Sequence, residues 1–356
     1  MALKLVEELA PAGYERLVYI EDEDAGLRAF VCVHSTVCGP AVGGCRMWNY
    51  ASKDEARTDV LRLAAGMTHK NAMAGLGLGG GKSVILGDPR SDKSEALFRA
   101  FGRAIESFGG SYYTAEDVGI SPEDMAIVAK ETSYAVGLDH GAHASGDPSP
   151  FTAEGVFQCL KIGARAVFGT EDLTGRRVLV QGLGHVGWSL AEKLHAAGAA
   201  LVVTDVNAAA SQKAQVSFGA EVCAPDEVFD QQIDIFAPCA LGGVLTHETV
   251  ARLSAKLVCG AANNQLLEPS VAEDLLKRDC LYLPDYVVNA GGIISVAGEV
   301  HHAGPEYRAE RLVQIARRID EIVRTSRKEG KTTIRVADEM VTDILAKARK
   351  VADAAA

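Results

Sequence analysis

Residues 178–191 read Val-Leu-Val-Gln-Gly-Leu-Gly-His-Val-Gly-Trp-Ser-Leu-Ala, and no other stretch limits the fold as much. The aliphatic run Arg177–Gln181 predicts a strand, glycines follow at 182, 184 and 187, and helical spacing continues to about Ala197. A strand passing straight into a helix through Gly-x-Gly-x-x-Gly predicts the first unit of a doubly wound parallel sheet that holds a dinucleotide. Gly182 permits the tight turn, Gly184 lets backbone approach a pyrophosphate, and Gly187 lets helix pack closely on strand. The loop amides and the helix N-terminus then hold negative charge without a lysine. Eighteen residues past Gly187, at the end of the strand Ala200–Asp205, stands Asp205, placed to accept from a ribose 2′-hydroxyl. A carboxylate there repels a 2′-phosphate and no arginine lies nearby, so NAD is expected over NADP. Two plainer readings stand beside this one: glycines that only make a turn, and a solvated acid at a strand end.

The same rhythm continues with strand-like Ile233–Ala237, Leu257–Cys259 and Tyr282–Leu283 between helical stretches, as in right-handed βαβ units. Two long helices, Glu306–Lys328 and Arg335–Ala352, follow. The first half differs. Arg16–Ile20 and Arg28–Val33 read as strands joined by a charged turn, and Ser52–Asn71 as a helix with Ser52 at its cap. Ser94–Phe108 predicts a second helix, and Ser121-Pro-Glu-Asp124 opens a third, with proline at the first helical position. Between 136 and 150, Gly137, Gly141, Gly146, Pro148 and Pro150 crowd together and periodicity lapses. A domain boundary is expected there, with domains 1–148 and 149–330, which suits a chain of 356 residues.

A second glycine run, Gly75-Leu-Gly-Leu-Gly-Gly-Gly-Lys-Ser83, imitates a phosphate loop. Leu76 stands where the first glycine of a P-loop belongs, and Ser83–Leu86 reads as a strand after the lysine where a helix is required. Lys82 needs another explanation.

With 36 basic against 47 acidic residues the formal net charge is −11 and no basic stripe is present, which argues against nucleic acid or an anionic membrane as partner. Eight cysteines without a C-x-x-C pair read as free core thiols in a reducing, cytoplasmic setting. No export signal and no apolar run long enough for a membrane span is visible. His69 lacks a second ligand at i+4, so no metal is expected.

Six ordered motifs then carry a resemblance: Met67-Thr-His-Lys70-Asn, Gly77-Leu-Gly-Gly-Gly-Lys82, Thr114-Ala-Glu-Asp117-Val-Gly119, Ser145-Gly-Asp-Pro-Ser-Pro150, Gly260-Ala-Ala-Asn263-Asn-Gln and Asn289-Ala-Gly-Gly292. Together they resemble the glutamate, leucine, valine and phenylalanine dehydrogenases over nearly the whole chain. The resemblance implies a two-domain α/β fold: a catalytic domain with a mixed sheet, a Rossmann-type domain beyond a cleft, and a last helix, 335–352, returning to the first domain. It implies NAD-dependent oxidative deamination of an L-amino acid to a 2-keto acid and ammonia by a homo-oligomer. Lys82 is then the base that activates water, Asp117 the proton exchanger for the substrate amine, and Lys70 the partner of the α-carboxylate. Gly43 and Gly44 are implied at the substrate and Asn263 at substrate and nicotinamide. Asn289, Thr152, His185, Val186 and Ala240 are implied at the cofactor. A lysine desolvated beside a second cation is brought to about 7 to 8, which suits a general base, and Lys70 is the candidate neighbour.

In the glutamate enzymes a lysine and a serine hold the side-chain carboxylate; here those places are Val42 and Val296. A buried carboxylate without a partner costs several kcal/mol, so acidic substrates are expected to be rejected. Val42, Ala115, Ile293 and Val296 describe an apolar pocket. The wording of the chain and the small Val42 point to phenylalanine as substrate, with leucine or valine as the alternative. A module that only senses NAD is the reading from another class, and Lys70, Lys82 and Asp117 together speak against it.

Overall fold

The structure, a computed structural model, describes residues 3–138 and 147–355, and its chain forms two compact units. Unit one comprises Met1–Asp147, Ile293–Arg308 and Val341–Ala356; unit two comprises Pro148–Gly292 and Ala309–Met340. Gly141, Gly146 and Ser145, used above for the boundary and a motif, lie outside the described residues.

Unit one begins with β1 (Lys4–Glu8), β2 (Arg16–Asp22), β3 (Leu27–Ser35), β4 (Ala41–Trp48), α1 (Lys53–Met73), β5 (Gly79–Leu86), α2 (Glu95–Glu106), β6 (Tyr112–Glu116) and α3 (Pro122–Val128). Its sheet runs β1-β2-β3-β5-β4-β6. β1, β2, β3 and β5 pair antiparallel, whereas β4 lies parallel to both β5 and β6, so the sheet is mixed. The helices start where their caps put them: the Ser52, Ser94 and Ser121 hydroxyls accept from the amides of Glu55, Leu97 and Asp124. α1 covers one face over Phe30, Cys32 and Val84, and α2 covers the other through Leu97, Phe98, Phe101 and Ile105.

The glycine run that imitates a phosphate loop is the first half of β5. These glycines serve packing. A Cβ on Gly80 would lie 2.1 Å from the Thr68 nitrogen, on Gly79 2.0 Å from the Ser35 carbonyl oxygen, and on Gly81 2.7 Å from the Tyr112 ring. Asn71, at the end of α1, fastens the helix there, donating to the carbonyls of Gly79 at 2.5 Å and Val42 at 3.3 Å.

Unit two contains α4 (Ser149–Phe168), β7 (Arg177–Gln181), α5 (His185–Ala196), β8 (Ala200–Thr204), α6 (Ala208–Phe218), β9 (Glu221–Val222), β10 (Ile235–Pro238), α7 (His247–Arg252), β11 (Leu257–Val258), α8 (Val271–Lys277), β12 (Leu281–Tyr282) and α9 (Asp285–Val288). All its strands are parallel, in the order β12-β11-β10-β7-β8-β9. The order reverses between β7 and β10, the switch point beside which doubly wound sheets bind ligands. Leu179, Val202, Phe236 and Val258 form the middle of its core.

Three helices end the chain: α10 (Gly291–Val300), α11 (Pro305–Glu329) and α12 (Thr333–Ala355). Each is divided between the units. Residues 293–308, expected above to continue the Rossmann domain, group with unit one. The reason is packing: the Glu299 carboxylate accepts from the Gly137 amide, and His301 hydrogen-bonds the Leu76 carbonyl. α12 belongs to unit one from Val341 onward, and its earlier turns to unit two. Among the described residues no helix is long and apolar enough to cross a membrane, and no His/Cys/Asp/Glu cluster fits a metal.

Candidate active site

Side-chain alternation in unit one puts chemistry on the face of the sheet covered by α1. On β4 that face carries Val42 and Gly44; Val42 stands opposite Gly80 of β5, and Gly44 opposite Ala115 of β6. Lys82, two residues past Gly80, shares the face and is buried, with 5% of its surface exposed. Its ammonium donates to Asp117 Oδ2, just beyond β6. Gly44 is what lets that turn come so close, since a Cβ there would lie 2.9 Å from the Asp117 Cβ. Gly43 does the same toward β5, where a Cβ would lie 1.9 Å from the Gly81 oxygen.

Asp117 is held from three sides. Besides Lys82, the Val118 amide donates to Oδ1 at 2.7 Å, and Arg46 Nη2 of β4 lies 3.8 Å from Oδ2. Burial pushes the Asp117 carboxyl up, but the charges of Lys82 and Arg46 and these hydrogen bonds outweigh it and hold it below the ordinary carboxylate value. Arg46 is fixed in turn by Asp59 of α1 at 3.0 Å, which also accepts from Tyr50 and Arg62. Neither Arg46 nor Asp59 is among the site residues expected from sequence. Arg46 follows the Gly-Gly pair by two residues, which was a usable signal; Asp59 sits thirteen residues on in another element and carried none. Lys70, half-buried, occupies the last turn of α1.

The apolar residues converge in part. A Cβ on Gly137 would lie 3.5 Å from the Ala115 Cβ and 3.9 Å from Val296 Cγ2, so these three adjoin. Ile293 and Val296 are one turn apart on α10. Val42 has no exposed surface at all, whereas Val296 and Ala115 keep a little. Its side chain is packed within the unit and offers no open wall.

In unit two the three fingerprint glycines have three structural reasons. Gly182 takes φ +94°, and a Cβ there would lie 2.7 Å from the Ala240 Cβ. A Cβ on Gly187 would lie 1.9 Å from the Gly182 oxygen, while one on Gly184 would meet nothing within 4 Å. The space over the Gly184 backbone is therefore open, beside exposed His185, half-buried Val186 and exposed Ala240. Asp205 closes the loop from β8, accepting from the amides of Leu183 at 2.6 Å and Asn207 at 2.7 Å. Its carboxylate thus shapes the loop at the end of β8.

Asn289 donates to Asn263 Oδ1 at 2.8 Å and to the Ala261 carbonyl, and its own Oδ1 is buried without a partner among the described residues. Thr152 is placed by Gly291 and Gly292: a Cβ on Gly291 would lie 2.5 Å from Thr152 Cα, and one on Gly292 3.6 Å from its hydroxyl. An open glycine turn, a strand-end carboxylate and an orphaned buried amide oxygen fit a dinucleotide.

An all-parallel Rossmann sheet, and a second α/β unit in which a buried lysine pairs with a half-buried carboxylate, are the frame of a dinucleotide-dependent enzyme. The chain belongs to the glutamate, leucine, phenylalanine and valine dehydrogenase family. The family's dimerisation-domain model matches residues 15–134, and its Glutamate/Leucine/Phenylalanine/Valine dehydrogenase model matches residues 203–355. Leucine dehydrogenase of Thermoactinomyces intermedius is 46% identical over 98% of this chain and 95% of its own. Phenylalanine dehydrogenase of Caldalkalibacillus thermarum is 42% identical over 94% of this chain and 92% of its own. The crystal structure of L-tryptophan dehydrogenase from Nostoc punctiforme superposes with a TM-score of 0.83 at 35% identity, covering 95% of this chain and 97% of that one. The protein is an amino acid dehydrogenase.

Proposed function

We propose that this enzyme oxidises apolar L-amino acids with NAD, leucine and its branched-chain relatives foremost. The carrying observation is buried Lys82 on a sheet face, paired with half-buried Asp117 just beyond β6, near apolar Ala115 and Val296. Amino acid, oxidised dinucleotide and water enter; 2-keto acid, ammonium, reduced dinucleotide and a proton leave. Gly182–Gly187, Asp205, Thr152, Ala240 and Asn289 would hold the dinucleotide, whose nicotinamide would supply the acceptor for the hydride from the substrate Cα. Lys70 pairs with the α-carboxylate, and Asn263 serves the same end. Asp117, kept ionised by Lys82 and Arg46, takes a proton from the substrate ammonium. Lys82 gives its own proton to solvent, the proton released in the overall reaction, and then receives one from the water that attacks the imine carbon.

Leucine takes precedence over phenylalanine for two reasons. The leucine dehydrogenases are 44–46% identical to this chain and the phenylalanine enzymes 41–43%. The small Val42, which spoke for a bulkier substrate, has no accessible surface through which to give room. Acidic substrates are expected to be rejected, because neither Val42 nor Val296 supplies a cation or donor for a side-chain carboxylate. A homo-oligomer is supported by the dimerisation-domain match over residues 15–134, and a reducing compartment suits eight free thiols.

The test is reduced-nicotinamide absorbance with purified protein, NAD and L-leucine, L-valine, L-phenylalanine or L-glutamate in turn. Highest kcat/KM with leucine or valine is expected. Preference for phenylalanine would move the lead to the aromatic substrate with the mechanism intact, and NAD binding without turnover of any of them would make the protein a sensor.

A further inference from the structure

Glu299 is the one acidic residue in Gly291–Val300, an otherwise apolar and small-residue helix, and it is buried, with 8% of its surface exposed. A carboxylate is costly to bury unless hydrogen bonds satisfy it. Among its partners is the Gly137 amide, which donates to Oε2 at 2.8 Å from a point 162 residues earlier in the chain. Gly137 has φ +75°, and its α-carbon faces Ala115 Cβ and Val296 Cγ2. Val296 and Glu299 are three residues apart and share one side of α10. On the sheet side, the segment before Gly137 is pinned by Val136 donating to the Thr114 carbonyl at 2.9 Å, next to Ala115. The Gly137 peptide is thus clasped between the strand that carries Ala115 and the helix that carries Val296.

We propose that Glu299 is a positioning residue for substrate selection: by holding the Gly137 amide it fixes the separation of Ala115 and Val296, and with it the length of apolar side chain the enzyme accepts. The inference rests on the function proposed above. Glycine suits position 137 through its left-handed conformation, and it lies within van der Waals reach of both side chains. The acceptor must be a long side chain, because it reaches from α10 to another segment's backbone.

The experiment measures kcat/KM for L-leucine and L-2-aminobutyrate, with NAD affinity, in the wild type and in Glu299→Ala, Glu299→Asp and Glu299→Gln. The leucine-to-aminobutyrate ratio is expected to fall about fivefold in the alanine variant, carried in KM, since pocket contacts of one methylene discriminate by roughly 10- to 200-fold. Glutamine keeps an acceptor oxygen at the same reach and restores the ratio, whereas aspartate, one methylene short, does not. NAD affinity stays unchanged throughout. Should the alanine variant fail to fold, the aspartate and glutamine variants give the same reading. An unchanged ratio in folded, active Glu299→Ala or Glu299→Asp overturns the inference alone; a wild type that turns over neither substrate overturns the proposed function and this inference with it.

Discussion

At the scale of single residues, the Lys82–Asp117 pair has separable effects on rate and on stability. Lys82→Ala removes the proposed base and is expected to lower kcat by about 10²–10⁴ while NAD affinity holds, since the residues proposed to bind the dinucleotide are all in unit two. Stopped turnover with unchanged NAD titration is the result to look for, and undiminished turnover would remove Lys82 from the mechanism. The variant also changes the acid limb of stability. Asp117 is held below its unfolded value of about 3.9, so its ionised form stabilises the fold above that pH and the contribution is lost as pH falls through the lower folded value. Without Lys82 the depression shrinks, and the variant's stability should fall less steeply with acid than the wild type's. Asp205→Ala carries a different expectation: weaker NAD binding and better relative use of NADP, as the repulsive carboxylate goes. Because Asp205 also accepts from the Leu183 and Asn207 amides, some loss of affinity for both cofactors is expected too. A wild type that already prefers NADP would refute the role. Lys82, Asp117 and Asp205 were legible in sequence because their motifs are local. Arg46 and Asp59 act through space across a strand and a helix, and periodicity does not report such pairs.

At the scale of elements, the parallel sheet was legible and half of the mixed one was not. β7 and β8 are runs of aliphatic, largely β-branched residues bounded by turns, so pattern and structure agree. The first halves of β4 and β5 are Ala-Val-Gly-Gly and Gly-Gly-Gly-Lys, whose glycines strand propensities disfavour. They form because neighbours demand close approach: α1 against Gly80, Tyr112 against Gly81, the Asp117 turn against Gly44. Tertiary packing overrides local preference there, and the same packing makes the site. The glycine turn before α5 gives a sharper comparison. Gly184→Ala adds a Cβ that meets nothing in the chain, so the variant should fold with near wild-type Tm yet bind NAD weakly, the methyl group occupying space a pyrophosphate needs. Gly187→Ala puts a Cβ 1.9 Å from the Gly182 oxygen and should cost about 1–3 kcal/mol of stability as well, by forcing helix and strand apart. Thermal melts and NAD titrations of the two variants separate these expectations. Equal Tm for both would mean that Gly187 is not a packing glycine.

At the scale of the whole molecule, neither unit is one continuous stretch of sequence, and this was only partly legible. The boundary near 148 shows in glycine and proline, but the return of 293–308 to unit one depends on contacts such as Glu299 with Gly137. Chain order therefore does not equal structural order, and a deletion at the C-terminus acts on the N-terminal unit. Val341–Ala356 belongs to unit one, where Ile344, Ala348, Val351 and Ala352 face Val37, Ala72, Leu76 and Leu78 across a cavity of about 500 Å³. Val341 itself is buried. Ending the chain at Met340 leaves unit two whole and strips an apolar helix face from unit one. Unit one should lose about 1.5–3 kcal/mol, mainly from buried Val341, because Ile344 and Ala348 are half-buried and Val351 is exposed. Calorimetry of the shortened chain is expected to resolve an early transition belonging to unit one from a later one belonging to unit two. NAD should raise only the later transition, because a ligand stabilises the unit that binds it. Amino acid oxidation should fall with the early transition. A single transition at the wild-type temperature, with turnover intact, would show that the end of α12 contributes nothing to the catalytic unit.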